Sequence, residues 1–214
     1  MRFVIILSLV LLLAVSGIAV AGEEAGCMLL VHTDPSMVYT NGCSAVDTIS
    51  TWDELDPTGA GTGVVNWIVV AAFPPGGAEE LNTISFGLGD YNPAAVSIGN
   101  AGPCSPGLSP LEISTQDWPL PGSGTAVSWA PNCNSGSLVP VYRFTAYVYA
   151  TGSIPLAPHP TQGWVNGLVR CNASTEPILG YGKLGFGEEG YNPNPSGAPV
   201  HVEASWGVIQ TATE

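Results

Sequence analysis

Positively charged side chains are nearly absent from this sequence. Its 214 residues include 4 Lys and Arg against 17 Asp and Glu, which gives a formal net charge of −13 at pH 7. Nucleic acid is excluded as a partner, because phosphate backbones are bound mainly through Lys and Arg. Charged residues make up only 10% of the chain and hydrophobic residues 45%, whereas intrinsic disorder requires few apolar residues and many charges. The composition therefore predicts a folded, acidic domain.

Helical patterns are also missing, and strand patterns take their place. The run Val64–Phe73 is apolar at nearly every position, which predicts a central strand buried on both faces. Val200–Val208 alternates apolar and polar residues and predicts a half-buried strand. Further strands are predicted at Met28–His32, Met37–Thr40, Leu81–Gly87, Ala95–Ile98, Thr125–Trp129, Val141–Ala150 and Lys183–Phe186. Pro140 marks the start of the long strand or a bulge, since proline cannot donate to a sheet ladder. Many short strands separated by Gly/Pro turns indicate an all-β, antiparallel β-sandwich or jelly roll.

The N-terminus has the pattern of a secretory signal peptide. Arg2 is followed by an apolar run, Phe3–Val15, and by small residues ending at Ala19–Ala21. We expect residues 1–21 to be removed on export and 22–214 to form a single all-β domain. A membrane anchor fits less well because of the single Arg flank and the early small-residue cleavage site. A lipid-modified Cys27 fits less well because Glu24–Gly26 separates that cysteine from the apolar run. No later apolar run approaches the length of a membrane span.

Five cysteines follow the predicted cleavage site. They are Cys27, Cys43, Cys104, Cys133 and Cys171. In an oxidising compartment two disulfides and one odd thiol are expected. Cys27 with Cys43 would close a short loop, and Cys104 with Cys133 would join two Pro/Gly/Ser-rich connections, so these pairs are favoured and Cys171 is left over. The spacing alone does not choose among the pairings, and without a C-x-x-C motif it does not indicate a metal site.

Several stretches resemble known sequences. PHPTQG (Pro158–Gly163) and LGFGEEGYNPNP (Leu184–Pro195) resemble uncharacterised secreted proteins of environmental bacteria, a resemblance that implies secretion and a shared fold. ISFGLGDYNPAAVSI (Ile84–Ile98) is similar to the strand–turn–strand of cohesin-like sandwiches, in which a Tyr-x-Pro turn follows an early strand. Cohesin-like domains bind partner proteins at extracellular surfaces, so this resemblance implies interaction rather than catalysis.

Catalytic motifs are missing as well. Neither G-x-S-x-G nor H-E-x-x-H occurs, and the chain has only 3 histidines. The sequence therefore offers few candidate bases and no recognisable nucleophile motif for a hydrolase. No catalytic residue and no organic cofactor is predicted. Carboxylates in the Gly/Pro loops could bind Ca²⁺ through their oxygens, and the best candidates are Asp53 with Asp56 and Glu188 with Glu189.

Two tryptophans in loops are candidate ligand-binding residues. Trp118 and Trp164 lie beside proline and glycine, where an exposed indole could stack on a sugar or anchor a protein. The alternative is an aromatic lid packed over the sandwich edge. The sequence thus predicts a secreted, non-catalytic structural or interaction module whose partner is an extracellular protein, a glycan or a second copy pairing at strand edges. A carbohydrate-binding module using these two tryptophans is the first alternative, and a secreted hydrolase the second.

Overall fold

The computed structural model of the chain describes residues 26–75, 79–105, 109–162 and 167–195. The strands are β1 (Cys27–Thr33), β2 (Thr58–Gly59), β3 (Gly63–Ala72), β4 (Glu80–Leu81), β5 (Thr83–Leu88), β6 (Val96–Pro103), β7 (Leu111–Ser114), β8 (Gly124–Ser128), β9 (Asn134–Ser135), β10 (Leu138–Val148), β11 (Gly152–Ala157), β12 (Leu168–Val169), β13 (Thr175–Glu176), β14 (Ile178–Tyr181) and β15 (Lys183–Phe186). Two short 3-10 helices, η1 (Tyr39–Ser44) and η2 (Trp52–Glu54), lie between β1 and β2. The predicted all-β class is confirmed. In these ranges no helix has the length and hydropathy needed to cross a bilayer.

The strands form a two-layer sandwich. The first sheet has five strands in the order β14-β1-β3-β10-β6. The second has the order β13-β12-β5-β11-β15-β2, with β8 added to β5 and β7 added to β8, and β4 pairs with β9 in a separate ladder. Apolar side chains of both sheets meet in one buried cluster, to which the first sheet contributes Trp67 and Phe144 and the second Phe86 and Phe186. The sandwich is mixed, because β1 pairs with β14 and β15 with β2 in parallel, while the other pairs are antiparallel as predicted.

Strand β3 is covered on both faces, as its sequence predicts. It lies between β1 and β10. Trp67 and Val69 face the cluster between the sheets. Ile68 and Val70 face the opposite way, into a second buried cluster. A continuous apolar run is therefore required here, because an alternating strand would place polar side chains in one of the two buried clusters.

The second cluster is closed by residues 34–56, which we call the strap. Met37, Val46 and Leu55 of the strap pack onto the outer face of β1 and β3. The predicted strand Met37–Thr40 is wrong, because this segment enters η1. Asn41 Oδ1 accepts the Val38 backbone N–H at 2.8 Å, and the Asn41 backbone N–H donates to the Val38 carbonyl at 3.0 Å, so local hydrogen bonds at the start of η1 replace pairing with a sheet.

The other predicted strands meet different outcomes. β1, β8 and β15 agree with their predictions, and β6 runs on to Pro103. The segment predicted as one strand from Leu81 is divided into β4 and β5. β10 begins at Leu138, so the predicted start at Val141 is wrong; the register shift between Pro140 and Tyr142 shows that Pro140 marks a bulge, the other of its two predicted roles. β7, β11 and β14 were not predicted, and the predicted signal peptide and strand Val200–Val208 lie outside the described residues.

The predicted cysteine pairs are wrong. The structure joins Cys43 to Cys104, with Cα atoms 5.4 Å apart, and Cys133 to Cys171, with Cα atoms 5.8 Å apart. Cys27 is the free, buried cysteine. Side chains alternate between the two faces of β1, and the Cys27 side chain points into the cluster between the sheets. Cys43 belongs to the strap, on the opposite face of the same sheet. The sheet therefore keeps the sulfurs of Cys27 and Cys43 apart.

Candidate functional site

Strand β7 forms an edge of the second sheet. Among the described residues β7 pairs with β8 alone. Leu111 lies opposite Ser128 at one end of the ladder, and Ser114 lies opposite Thr125 at the other. Leu111 and Ile113 point away from the sandwich core and are 63% and 64% exposed. We call these two side chains and the unpaired backbone of β7 the β7 edge. Exposed aliphatic residues on an edge strand are uncommon, because such an edge is a template for pairing with another strand.

The residue between them, Glu112, points inward and sets the orientation of β7. Its Oε1 accepts hydrogen bonds from the Tyr142 hydroxyl at 2.6 Å, the Thr125 hydroxyl at 3.0 Å and the Ser114 hydroxyl at 3.2 Å. Because side chains alternate along a strand, anchoring Glu112 to the core leaves both its neighbours facing solvent. The carboxylate is satisfied within the fold, so a strand added at the β7 edge would not need to supply a partner for it.

Tyr142 is held as a hydrogen-bond donor in this network. Burial, then the hydrogen bond to Glu112, raises the pKa of Tyr142 well above its ordinary value. Its hydroxyl remains protonated and donates to the carboxylate while accepting the Trp118 indole N–H at 2.9 Å. The arrangement is a structural clamp between β7 and the core of β10, and it presents no free nucleophile or base.

Trp118, a predicted ligand-binding residue, is half-buried in the structure. Its ring makes edge contacts with Phe86 and Tyr142, with centroids 5.7 and 5.6 Å apart. With its N–H bound to Tyr142, the indole packs onto the core. This arrangement corresponds to the alternative that the sequence allows for Trp118, an aromatic lid over the sandwich edge. Trp164, the other predicted residue, lies outside the described residues.

The acids expected to bind calcium occupy separate turns. Asp53 is exposed on η2, and Asp56 Oδ1 accepts the Thr58 backbone N–H at 2.8 Å. Glu188–Glu189 lies in the exposed turn after β15, where Glu188 Oε1 is 4.0 Å from Lys183 Nζ. These contacts are those of solvated turn residues.

One cluster of three potential metal ligands occurs in the part of the chain that the structure describes. It consists of Glu80, Cys133 and Cys171, and its two sulfurs are joined in a disulfide, which removes the thiolates that bind metals. None of the four acids predicted from the sequence belongs to it. The calcium sites stay a prediction without support from this geometry.

No family model and no curated protein matches the sequence. Among solved structures, the chain is similar to the cohesin module of a family 33 glycoside hydrolase from Clostridium perfringens, with 9% identity, a TM-score of 0.48 and coverage of 76% of this chain and 96% of that one. A type II cohesin from the Acetivibrio cellulolyticus cellulosome has 9% identity, a TM-score of 0.45 and coverage of 76% and 95%. A non-cellulosomal cohesin from Archaeoglobus fulgidus has 8% identity, a TM-score of 0.43 and coverage of 74% and 91%. This is a remote likeness to cohesin modules, at a level that carries no statement about function.

Proposed function

We propose that this chain is a secreted, non-catalytic module that binds a protein partner by adding the partner's strand to the β7 edge. The observation that carries the proposal is the pairing of an open backbone edge with two outward aliphatic side chains, Leu111 and Ile113. An added strand would gain main-chain hydrogen bonds from the edge and apolar burial from these side chains. The two disulfides are in keeping with an oxidising extracellular compartment.

Charge specifies the chemistry of the partner. With a net charge of −13, the chain repels acidic partners and a second copy of itself, and attracts basic ones. The partner segment is therefore extended, with apolar residues at alternate positions and Lys or Arg between or beside them.

The other long sheet edge is less suited to this role. In the part of the chain that the structure describes, β6 pairs with β10 alone, and its register shifts at the bulge opposite Thr145 and Ala146. It also ends in Pro103. Bulges and prolines are the features by which edges are protected from pairing, and β7 has neither.

A displayed library of random ten-residue peptides tests the proposal. Peptides enriched on the purified protein should show the alternating apolar and basic pattern, and their binding should protect the backbone amides of residues 111–114 from hydrogen exchange. The double variant Leu111→Lys/Ile113→Lys should weaken binding at least about tenfold, because it replaces the apolar contact with charges of the partner's own sign.

The matched control is Val38→Lys/Val64→Lys. These valines are 52% and 59% exposed and lie outside β7, so the control changes the charge equally without touching the edge. Enriched peptides that bind both variants equally well, or that leave the β7 amides unprotected, would contradict strand addition at this edge. Self-association of the protein in gel filtration, lost in the Leu111/Ile113 variant alone, would replace the foreign partner by a second copy.

A further inference from the structure

Two exposed tyrosines lie on the outer face of the five-stranded sheet, beyond the part that the strap covers. Tyr147 is 42% and Tyr149 67% exposed. Tyr147 is on β10, paired with Val64 on one side and Ser97 on the other. Tyr149 continues the same pairing, since its N–H bonds the Ala95 carbonyl at 2.8 Å. Residues two apart on a strand share a face and lie about 7 Å from each other, which places Tyr149, one residue past the end of β10, on the side of the sheet that Tyr147 occupies.

The position of the Tyr147 ring is built into the sheet. A Cβ at Gly99 would lie 2.2 Å from Cε2 and 3.0 Å from Cδ2 of that ring. The glycine is therefore required for the ring to rest where it does. The register shift in the β10–β6 ladder places Gly99 at a bulge between Ile98 and Asn100, and bulges serve to redirect side chains.

The groups beside the rings are neutral and able to form hydrogen bonds. Ser97 lies opposite Tyr147, and Asn100 lies opposite Thr145 on the same face. Neither the Ser97 nor the Asn100 side chain has a hydrogen-bond partner within the described ranges. No charged residue is among the cross-strand partners of Tyr147 and Thr145. We call Val64, Ser97, Asn100, Tyr147 and Tyr149 the tyrosine face.

We infer that the tyrosine face binds a neutral polysaccharide. A pyranose ring has an apolar C–H surface that stacks on an aromatic ring and hydroxyls that pair with amide and hydroxyl side chains. The row of rings suits successive sugar units of an extended chain. Uronic or sulfated polymers are disfavoured, because the site offers no cation and the chain as a whole carries −13.

This glycan site is separate from the β7 edge. The tyrosine face lies on the outer side of the first sheet, whereas β7 belongs to the second. The chain would then hold a polysaccharide on one sheet and a protein partner on the other. Variants of one surface should leave the other active, so the two proposals succeed or fail independently.

Affinity electrophoresis and calorimetry on the purified protein test the inference with four probes: cellohexaose, xylohexaose, mannohexaose and, as the anionic comparator, polygalacturonate. At least one neutral hexasaccharide should bind. Tyr147→Ala and Tyr149→Ala should each weaken that binding about tenfold or more, whereas Tyr147→Phe should retain most of it because the ring remains. Gly99→Ala should weaken binding as strongly as Tyr147→Ala, since the new methyl group displaces the ring.

Tyr191→Ala is the matched control, because Tyr191 is 43% exposed but lies in the bridge to Lys183 on another part of the surface. It should bind within about twofold of the unchanged protein. Each altered tyrosine is exposed, so all three alanine variants should fold, and thermal unfolding checks this. Failure of all three neutral probes to bind, binding that the two tyrosine variants do not alter, or preference for polygalacturonate would each overturn the inference.

Discussion

The two faces of the five-stranded sheet bury apolar side chains by different means. The inner face packs against the second sheet, for example where Tyr142 of β10 meets Phe86 of β5 with ring centroids 5.8 Å apart; within the first sheet, Trp67 stacks on Phe144 with ring centroids 4.2 Å apart. The outer face is covered by the strap, whose backbone hydrogen bonds are largely local turns such as Asn41 to Val38 and Ile49 to Val46. Buried aromatic and aliphatic side chains hold the first interface, whereas local turns and a covalent bond from Cys43 to Cys104 hold the second.

The difference shows that a strap can replace a sheet layer when it is tied down. Turns contribute few long-range hydrogen bonds, so the strap depends on the burial of Met37, Val46 and Leu55 and on its disulfide. Arg143 adds a contact from the sheet, with its guanidinium 4.7 Å from the centre of the Tyr39 ring, an arrangement worth about 0.5–2 kcal/mol. The inner interface should therefore govern global stability and the outer one local opening.

The largest effect is expected from the inner interface. Phe144→Ala should lower the free energy of unfolding by about 3–5 kcal/mol, because Phe144 is fully buried and removal of its ring leaves a cavity in the core. Urea denaturation followed by tryptophan fluorescence measures this loss. A cost below about 1 kcal/mol would mean that the inner face is packed less tightly than the ring contacts of Phe144 with Trp67 and Tyr142 indicate.

The strap should respond to loss of its disulfide. Cys43→Ala/Cys104→Ala opens a loop with a sequence separation of 61 and should cost about 2–4 kcal/mol. Hydrogen exchange should rise mainly in the strap and much less in β3. In Cys133→Ser/Cys171→Ser, which removes the other disulfide, strap exchange should stay as it is in the unchanged protein, and an equal rise in both variants would argue against a specific tie.

A histidine links the end of the strap to β1 and should make stability depend on pH. His32 Nδ1 accepts the Asp56 backbone N–H at 2.9 Å. Burial lowers the pKa of His32 below its ordinary 6.5, against the opposing pull of the Asp34 and Asp56 carboxylates. The folded state then binds fewer protons than the unfolded state, so this contribution is present above 6.5 and is lost as the pH falls through 6.5 toward the lower folded pKa.

Denaturation at about pH 7.5 and at about pH 5 measures that dependence. His32→Asn, whose amide oxygen can accept the same N–H, should reduce the loss at low pH. His159 is the comparator: burial also lowers its pKa, but it lies away from the strap, so His159→Asn should leave the strap's own pH response in hydrogen exchange intact. A low-pH loss that is the same with and without His32 would contradict the assignment.

The smallest expected effect concerns the free thiol of the inner face. Burial raises the pKa of Cys27 to about 12, and the Arg170 charge offsets this only in part. A neutral, buried thiol is a poor nucleophile, so the folded protein should not react with a thiol reagent at about pH 8, and the denatured protein should show one thiol per chain. Rapid labelling of the folded protein would contradict the burial of Cys27, and a different count after denaturation would contradict the two disulfides.

Strong local patterns were sufficient to predict the central strands. The apolar run of β3 and the whole of β15 follow from residue types in a short window, whereas at Pro140 the sequence left open a strand start or a bulge and the structure selected the bulge. Met37–Thr40 has the composition of a strand, but its apolar residues pack from a turn, because Asn41 offers the backbone a local hydrogen bond. β7 was missed because its four residues follow a Pro/Gly-rich stretch and because the alternation of Leu111, Glu112 and Ile113 is too short to stand out.

The predicted site residues depended on contacts that a linear pattern does not contain. Trp118 looked accessible beside a proline, yet Tyr142 and Phe86, distant in the chain, take up its N–H and ring. Conversely, nothing in the sequence around Tyr147 distinguishes an outward ring from a buried one. Its exposure follows from the register with β6 and from Gly99 across the ladder.

The amino-acid sequence alone determined the all-β architecture and the net charge of −13, because these depend on composition and on the two-residue period of strands. Only the tertiary structure decided the cysteine partners, the strap, the free β7 edge and the outward row of tyrosines. Those features depend on which face of a sheet a side chain occupies and which strand lies beside it, and both are set by pairings between residues far apart in the chain.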